Sequence, residues 1–124
     1  MRDQDTLRAA LRAKPGAEET LPFDPVTLVV KVGGKMFALV PLTAFPVRLS
    51  LKVDPSYGAL LRETYPAIEP GYHLNKQHWI TLTLDGSIEP GLVQALIDES
   101  YRLVVRGLSR AARAALAADL GGPG

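Results

Sequence analysis

The sequence predicts an α+β protein, and three observations support this fold class. A run of β-type segments occupies the middle of the chain, an amphipathic helical segment precedes it, and a long amphipathic helical segment follows it. The length of 124 residues is typical of one domain. We therefore expect a single domain over residues 1–124, with its core at about 3–110 and an alanine-rich helical tail at 111–124 that ends in a frayed GGPG.

Turn signals and alternation divide the first half of the chain. Gly33-Gly34 is a two-residue hairpin signal between two apolar runs, and this turn would place Val30 opposite Phe37, with Phe37 and Leu39 on the core face. The third strand alternates most clearly, because its apolar residues point inward while Arg48, Ser50 and Lys52 point outward. The predicted elements are a helix over 3–13, a proline-rich loop over 14–25 and strands over 26–32, 35–42 and 47–53.

The second half is predicted to form a helix, a strand and a long helix. His78 shares a strand face with apolar residues and is expected to be partly buried, whereas Trp79 lies on the polar face. Pro90 suits the first turn of the long helix, and Ser109 is a candidate N-cap for the tail. The predicted elements are a helix over 54–64, an irregular stretch that Pro66 and Pro70 enclose, a strand over 78–84 and a helix over 90–108.

Composition excludes several kinds of site. The chain has no cysteine, which removes disulfides, thiolate catalysis and thiolate metal sites. His73 and His78 lack a supporting carboxylate pattern, so we expect no metal and no cofactor. No apolar run has the length of a signal peptide or a membrane span. We expect a cytoplasmic monomer with no membrane partner, and the sequence indicates no particular protein partner.

The sequence contains no recognisable catalytic constellation. Ser100 lies in the middle of a predicted helix without the base that a nucleophilic serine needs, and it is expected to pack structurally beside Tyr101. Gly33-Gly34-Lys35 lacks the fuller glycine pattern of a phosphate loop and does not lead into a helix. We therefore predict a protein that is not an enzyme, with no catalytic residues.

Positive charge is concentrated in the predicted strands, although the net charge is only +1. No acidic residue occurs between Pro25 and Val53. Cations on one face of a sheet can anchor a few phosphates, although such charges often serve only solvation. The candidate phosphate contacts are Lys31, Lys35, Arg48, Lys52 and Lys76.

The segment GYHLNKQHW, residues 71–79, is the most chemically varied part of the chain. Trp79 could stack on a base or sugar beside Lys76, with His73 and Asn75 as a supporting polar site. The alternative is loop architecture, in which the histidine and asparagine side chains satisfy backbone groups. The sequence leaves both interpretations open.

Four motifs, in this order and spacing, resemble those of the MmcQ/YjbR family: KVGGKMF at 31–37, LSLKVDP at 49–55, YPAIEPGYHLNKQHW at 65–79 and LIDESYRLVVRGL at 96–108. The resemblance implies a frataxin-like fold, in which helices pack on one face of a twisted antiparallel sheet. It also implies a double-wing arrangement of β-hairpins that is associated with DNA binding. It implies no enzyme activity and no cofactor. The acidic ridge with which frataxins bind iron has no counterpart here, so iron binding is not carried over.

Three functions remain as expectations. The first is weak, salt-sensitive DNA binding of low sequence specificity. The second is a protein- or small-ligand-binding module that uses a groove beside residues 71–79. The third, an enzyme, has no residue pattern in its favour. The candidate residues for the first are Lys31, Lys35, Arg48, Lys52, Lys76 and Trp79.

Overall fold

Six strands and four helices follow one another along residues 1–121, the part of the chain that the computed structural model describes. They are α1 (Gln4–Arg12), β1 (Glu18–Thr20), β2 (Thr27–Val32), β3 (Lys35–Pro41), β4 (Val47–Lys52), α2 (Pro55–Thr64), β5 (Ile68–Pro70), β6 (Trp79–Leu84), α3 (Pro90–Arg106) and α4 (Arg110–Gly121). The last three residues of the predicted frayed end, 122–124, lie outside the described residues.

The strands form one antiparallel sheet in the order β1-β2-β3-β4-β6-β5. The helices pack on one face of this sheet, where Leu51 and Ile80 join the same core as Leu7 of α1 and Ile97 of α3. The predicted α+β fold class, with helices on one face of an antiparallel sheet, is confirmed.

The hairpin between β2 and β3 is confirmed, but its register contains a bulge. Gly33 and Gly34 have φ values of +58° and +80°, which suit a tight turn that needs two positive values. Beyond the turn the register shifts, so that Val30 pairs with Ala38 and not with Phe37. Phe37 and Ala38 are both buried, and Leu39 turns to the opposite face. The predicted Val30–Phe37 pairing and the core position of Leu39 are wrong, because one extra residue reverses the alternation.

Two short edge strands were not predicted. Glu18–Thr20 pairs with β2 and Ile68–Pro70 pairs with β6, in stretches predicted to be loop and irregular structure. Each has only three residues, too few to show alternation, and edge pairing depends on backbone groups more than on side chains. Both edge strands bring acidic residues to the sheet.

Capping groups set the ends of the helices. The Asp3 carboxylate accepts from the Thr6 amide at 2.7 Å, and Asp54 caps α2 through the amide of Ser56 at 3.1 Å. The α3 helix ends at Arg106, and a new helix starts with Ser109, whose Oγ accepts from the Ala112 amide at 3.1 Å. Within residues 1–121 no helix has both the length and the apolarity that a membrane crossing needs.

Ser100 and Tyr101 have the structural role that the sequence predicts. The Ser100 hydroxyl is fully buried and donates to the Phe37 carbonyl at 2.6 Å. The Tyr101 hydroxyl donates to the Pro15 carbonyl at 2.5 Å, and its ring packs edge-on against Phe37 with 5.5 Å between centroids. Burial raises the pKa of the Tyr101 hydroxyl. Both side chains are thus used to join α3 to the sheet and the N-terminal loop.

Candidate functional site

The face of the sheet that points away from the helices, called the open face below, carries the predicted cations of β4. The β4–β6 register places Lys52 directly opposite Trp79 and Arg48 opposite Thr83. Leu49 and Leu51 point toward the helices, so Arg48 and Lys52 point away from them, as predicted. Lys52 and Trp79 are both partly exposed. The structure therefore brings a cation and an indole together as neighbours.

The segment 71–78, called the covering loop below, lies over part of the open face. The Tyr72 amide donates to Thr81 Oγ1 at 3.0 Å, and Thr81 Oγ1 lies 2.8 Å from Ser50 Oγ. Both hydroxyls belong to buried residues. Ser50 was predicted to be an outward residue of the basic stripe, but it is buried because the covering loop lies above it.

The covering loop is held by its own polar groups and by a close approach to β6. A Cβ atom on Gly71 would lie 2.6 Å from Cβ of Trp79, so this position has no room for a side chain. The Asn75 side-chain oxygen accepts from the amides of Gln77 at 2.9 Å and His78 at 3.2 Å. The loop-architecture interpretation therefore accounts for the Asn75 oxygen. Lys76 is an exposed residue, and its amine donates to the Gly71 carbonyl at 3.4 Å, which places it near Trp79.

The covering loop and the proline-rich loop before β2 enclose a depression on the open face. We call it the apolar groove; its volume is about 420 Å³ and its main lining residues are Phe23, Met36, Leu39, Tyr72, His73 and Leu74. Phe23 is 72% exposed and Tyr72 is 57% exposed. The ring of His73, whose φ is +59°, packs against the Tyr72 ring at 4.0 Å between centroids with a tilt of 50°. The Arg48 guanidinium lies 5.4 Å from the Tyr72 ring.

A second depression lies where α3 ends beside the sheet. It consists of two adjoining cavities of about 350 and 340 Å³ that share Lys52 and Gly107. We call it the basic cleft, and its polar and aromatic lining residues are Lys35, Lys52, His78, Trp79 and Arg106. Met36 lines both the basic cleft and the apolar groove, so the two depressions adjoin.

The prediction that His78 leans toward the core is wrong. His78 is exposed and lines the basic cleft with Lys52 and Arg106. His78 was expected to share the inward direction of Ile80, two residues along the chain. However, α3 ends at Arg106 and does not cover the start of β6, next to His78. The side chain therefore meets a cleft and not a helix.

Sequence reasoning missed two residues of these depressions, Phe23 and Tyr72, and noted a third, Arg106, without including it in the candidate site. Phe23 and Tyr72 are aromatic residues in segments rich in proline and glycine, and an aromatic residue in such a loop is a signal for a surface site. Arg106 belongs to a helically spaced series with Arg102, Arg110 and Arg113, which indicates a basic stripe on a helix. That series is interrupted in the structure, because α3 and α4 are separate helices.

Among the described residues, the cations of the basic cleft are not held in ion pairs. Within residues 1–121, Lys35, Lys52 and Arg106 form no ion pair within 4 Å. The Asp54 carboxylate in the wall of the cleft is already engaged as the cap of α2. The nearby Glu99 pairs with Arg102, whose hydrogen bond is the main cause of a lowered Glu99 pKa, and Arg106 adds a smaller effect.

The other predicted cations are closer to acids than the sequence suggested. Arg48 lies 3.8 Å from Glu69 of β5, and Lys31 is the cross-strand partner of Glu18 of β1. Residues 25–53 contain no acidic residue, but the edge strands β1 and β5 bring Glu18 and Glu69 next to these cations. In the described chain, no three histidine or acidic side chains gather as a metal-binding group.

Comparison with known proteins gives matches over most of the chain. It is 41% identical over 96 residues to the uncharacterized protein YbdF of Escherichia coli O157:H7, covering 77% of this chain and 79% of YbdF. It is 39% identical over 93 residues to the uncharacterized protein YjbR of Escherichia coli K12, covering 75% of this chain and 79% of YjbR.

Two solved structures share the fold. The crystal structure of the Deinococcus radiodurans protein DR2400 matches with a TM-score of 0.87 and 48% identity, over 94% of this chain and 88% of that one. A Pseudomonas syringae crystal structure matches with a TM-score of 0.70 and 27% identity, over 82% of this chain and 97% of that one. The model of the YjbR family matches residues 12–103. The predicted resemblance is confirmed, and the chain belongs to the YjbR family.

Proposed function

We propose that this protein is a DNA-binding protein of low sequence specificity that uses its open face and basic cleft. The observation that carries the proposal is the pair formed by Lys52 and Trp79, which face each other across β4 and β6 and line the same cleft. A lysine amine contacts phosphate, and an indole packs on a sugar or stacks on a base without regard to sequence. This partly exposed pair therefore supplies one contact for the phosphate and one for the sugar or base of a nucleotide.

The remaining cations lie around the Lys52–Trp79 pair, some nearer to it than others. Lys35 stands beside the tip of the β2–β3 hairpin, which in this proposal acts as one wing. Arg106 lines the other of the two cavities that Lys52 borders. Lys76 and Arg48 flank Trp79 and the Tyr72 ring, while Lys31 lies farther out beside Glu18. Contacts of this kind bind the sugar–phosphate chain and carry little sequence information. Low specificity follows from that chemistry.

The number of available cations limits the affinity. About three phosphate contacts would weaken binding by about 20- to 40-fold between 50 and 200 mM salt, because each contact releases a condensed counterion. We propose that the protein acts in this way as a cytoplasmic monomer, without a cofactor and without catalysis.

The test is a fluorescence anisotropy titration of labelled DNA at several salt concentrations. The proposal predicts saturable binding at 50 mM salt that is largely lost at 200 mM, and similar affinities for unrelated sequences of equal length. Binding that does not respond to salt, or no binding at 50 mM, would contradict it.

The apolar groove favours a second candidate, a small-ligand-binding module without enzymatic activity. Its volume of about 420 Å³ falls within the range of ligand sites, and its lining is mainly apolar with His73 as a polar group. In that case a thermal-shift screen would find a small apolar compound that stabilises the protein. Phe23→Ala would abolish the shift and Lys52→Gln would preserve it, the reverse of what phosphate anchoring requires.

A further inference from the structure

We propose that the bound DNA is single-stranded, with unpaired bases in the apolar groove and the sugar–phosphate chain in the basic cleft. This inference rests on the proposed function and names the form of DNA that the site takes. It also assigns a role to Phe23, Tyr72 and Arg106, which were not among the site residues predicted from the sequence.

The apolar groove provides surfaces for which a duplex has no counterpart. Phe23 and Tyr72 are 72% and 57% exposed, and the floor between them carries Met36 and Leu39. In duplex DNA the faces of the bases are stacked on one another, so only edges and phosphates reach the protein. An unpaired base has a free π-face, and aromatic side chains bind such faces without regard to sequence.

The two depressions follow one another along the protein surface. Met36 lines both the apolar groove and the cavity of about 350 Å³ in the basic cleft. Lys52 lines both cavities of that cleft. A strand with a base in the groove can therefore continue past Trp79 toward His78 and Arg106. Each part of this path offers a surface suited to one part of a nucleotide chain.

Charge complementarity identifies the occupant. An apolar ligand would need the groove alone, and a duplex would need the cations alone. The structure places Arg48 against the Tyr72 ring at one end and Lys35, Lys52 and Arg106 in the adjoining cleft. Aromatic surfaces alternating with cations are the combination that binds single strands.

The experiment compares a 12-nucleotide oligo-dT with a blunt 12-base-pair duplex by fluorescence anisotropy at 50 mM salt. We expect the single strand to bind at least about 10-fold more tightly, since stacking of one or two bases has that magnitude. The chain has one tryptophan, so oligo-dT should also quench the intrinsic fluorescence of Trp79.

Phe23→Ala is the diagnostic variant and Phe45→Ala is its matched control. Both rings are more than 70% exposed, so neither substitution removes a core contact, and circular dichroism checks the fold. Phe45 lies beside the start of α1 and not in the apolar groove. Phe23→Ala should weaken oligo-dT binding at least about 5-fold and leave duplex binding unchanged, whereas Phe45→Ala should change neither.

The outcomes separate this inference from the proposed function. Equal affinity for the two DNA forms, or a single-strand preference that Phe23→Ala leaves intact, overturns the placement of bases in the groove while DNA binding stands. If neither form binds at 50 mM salt, the proposed function fails as well.

Discussion

The hydroxyl of Ser100 on α3 accepts a hydrogen bond from the backbone amide of Lys52 at 2.9 Å. The same hydroxyl donates to the Phe37 carbonyl at 2.6 Å. Strands β3 and β4 pair at Ala38–Leu51 and Leu39–Ser50, and at the next position Ser100 joins the two backbones. The residue that the proposed function depends on most is thus fixed by a buried side chain of the long helix.

Ser100→Ala should lower the free energy of unfolding by about 1–3 kcal/mol, because the Phe37 carbonyl and the Lys52 amide lose their shared partner. Urea unfolding followed by circular dichroism measures the change. Ser56→Ala is the control, since Ser56 is exposed at the start of α2 and only its backbone amide is engaged there. Equal stability of the two variants would show that the bridge is unimportant.

Gly71→Ala should displace the covering loop. A new Cβ at this position would be 2.6 Å from Cβ of Trp79 and 3.1 Å from its carbonyl oxygen, and overpacking of this kind costs about 1–3 kcal/mol. Gly91→Ala has no atom within 4 Å of the new Cβ and should leave stability unchanged or raise it, because alanine favours a helix. Thermal unfolding of the pair tests this, and a neutral Gly71→Ala would mean that the loop has room to shift.

The sequence predicted the parts of the fold that depend on regular patterns. Strand β4 alternates without interruption, and the turn at Gly33-Gly34 needs residues with positive φ, so both were found. The bulge at Phe37 has no local pattern in the sequence, since the contacts that Phe37 makes there are with Tyr101 and Ser100, which are distant along the chain.

The candidate site was predictable only in part for a related reason. The orientation of Arg48 and Lys52 follows from alternation within one strand. The apolar groove forms where Phe23 and Tyr72, from two loops distant in sequence, meet above the same strands. The exposure of His78 depends on where α3 ends, which alternation within β6 does not determine.

Acid should weaken the attachment of α1 to β1. The pKa of Glu19 is lowered below its ordinary value of 4.5, mainly by its hydrogen bond to Arg8. A carboxyl whose folded-state pKa is depressed stabilises the fold above its ordinary pKa, and this stability is lost as the pH falls through the folded-state value. Glu19→Gln should therefore be less stable by at most about 1 kcal/mol at neutral pH.

Urea unfolding at a series of pH values tests this account of Glu19. The difference between the wild type and Glu19→Gln should shrink as the pH falls below 4.5. Glu18→Gln removes an exposed carboxylate from the same strand without touching the pair and serves as the control. A Glu19→Gln difference that stays constant with pH would show that the ion pair contributes nothing.

The cations should not contribute equally to DNA binding. Arg106 lies in the basic cleft and should contact phosphate, whereas Lys31 faces Glu18 across β1 and β2. Arg106→Gln should weaken binding and reduce the salt slope by about one, while Lys31→Gln should change affinity by less than about 2-fold. If the two variants behave alike, the positive charge acts as a diffuse field and the basic cleft has no special role.

The most direct test compares Lys52→Gln with Arg12→Gln in DNA titrations from 50 to 200 mM salt. Both variants remove one positive charge, but Arg12 lies on α1 and pairs with Glu19, on the opposite side of the sheet from the open face. We expect Lys52→Gln to lower affinity at least about 3-fold and to reduce the salt slope by about one, while Arg12→Gln binds like the wild type. Equal losses in the two variants, or no loss in Lys52→Gln, would contradict this expectation.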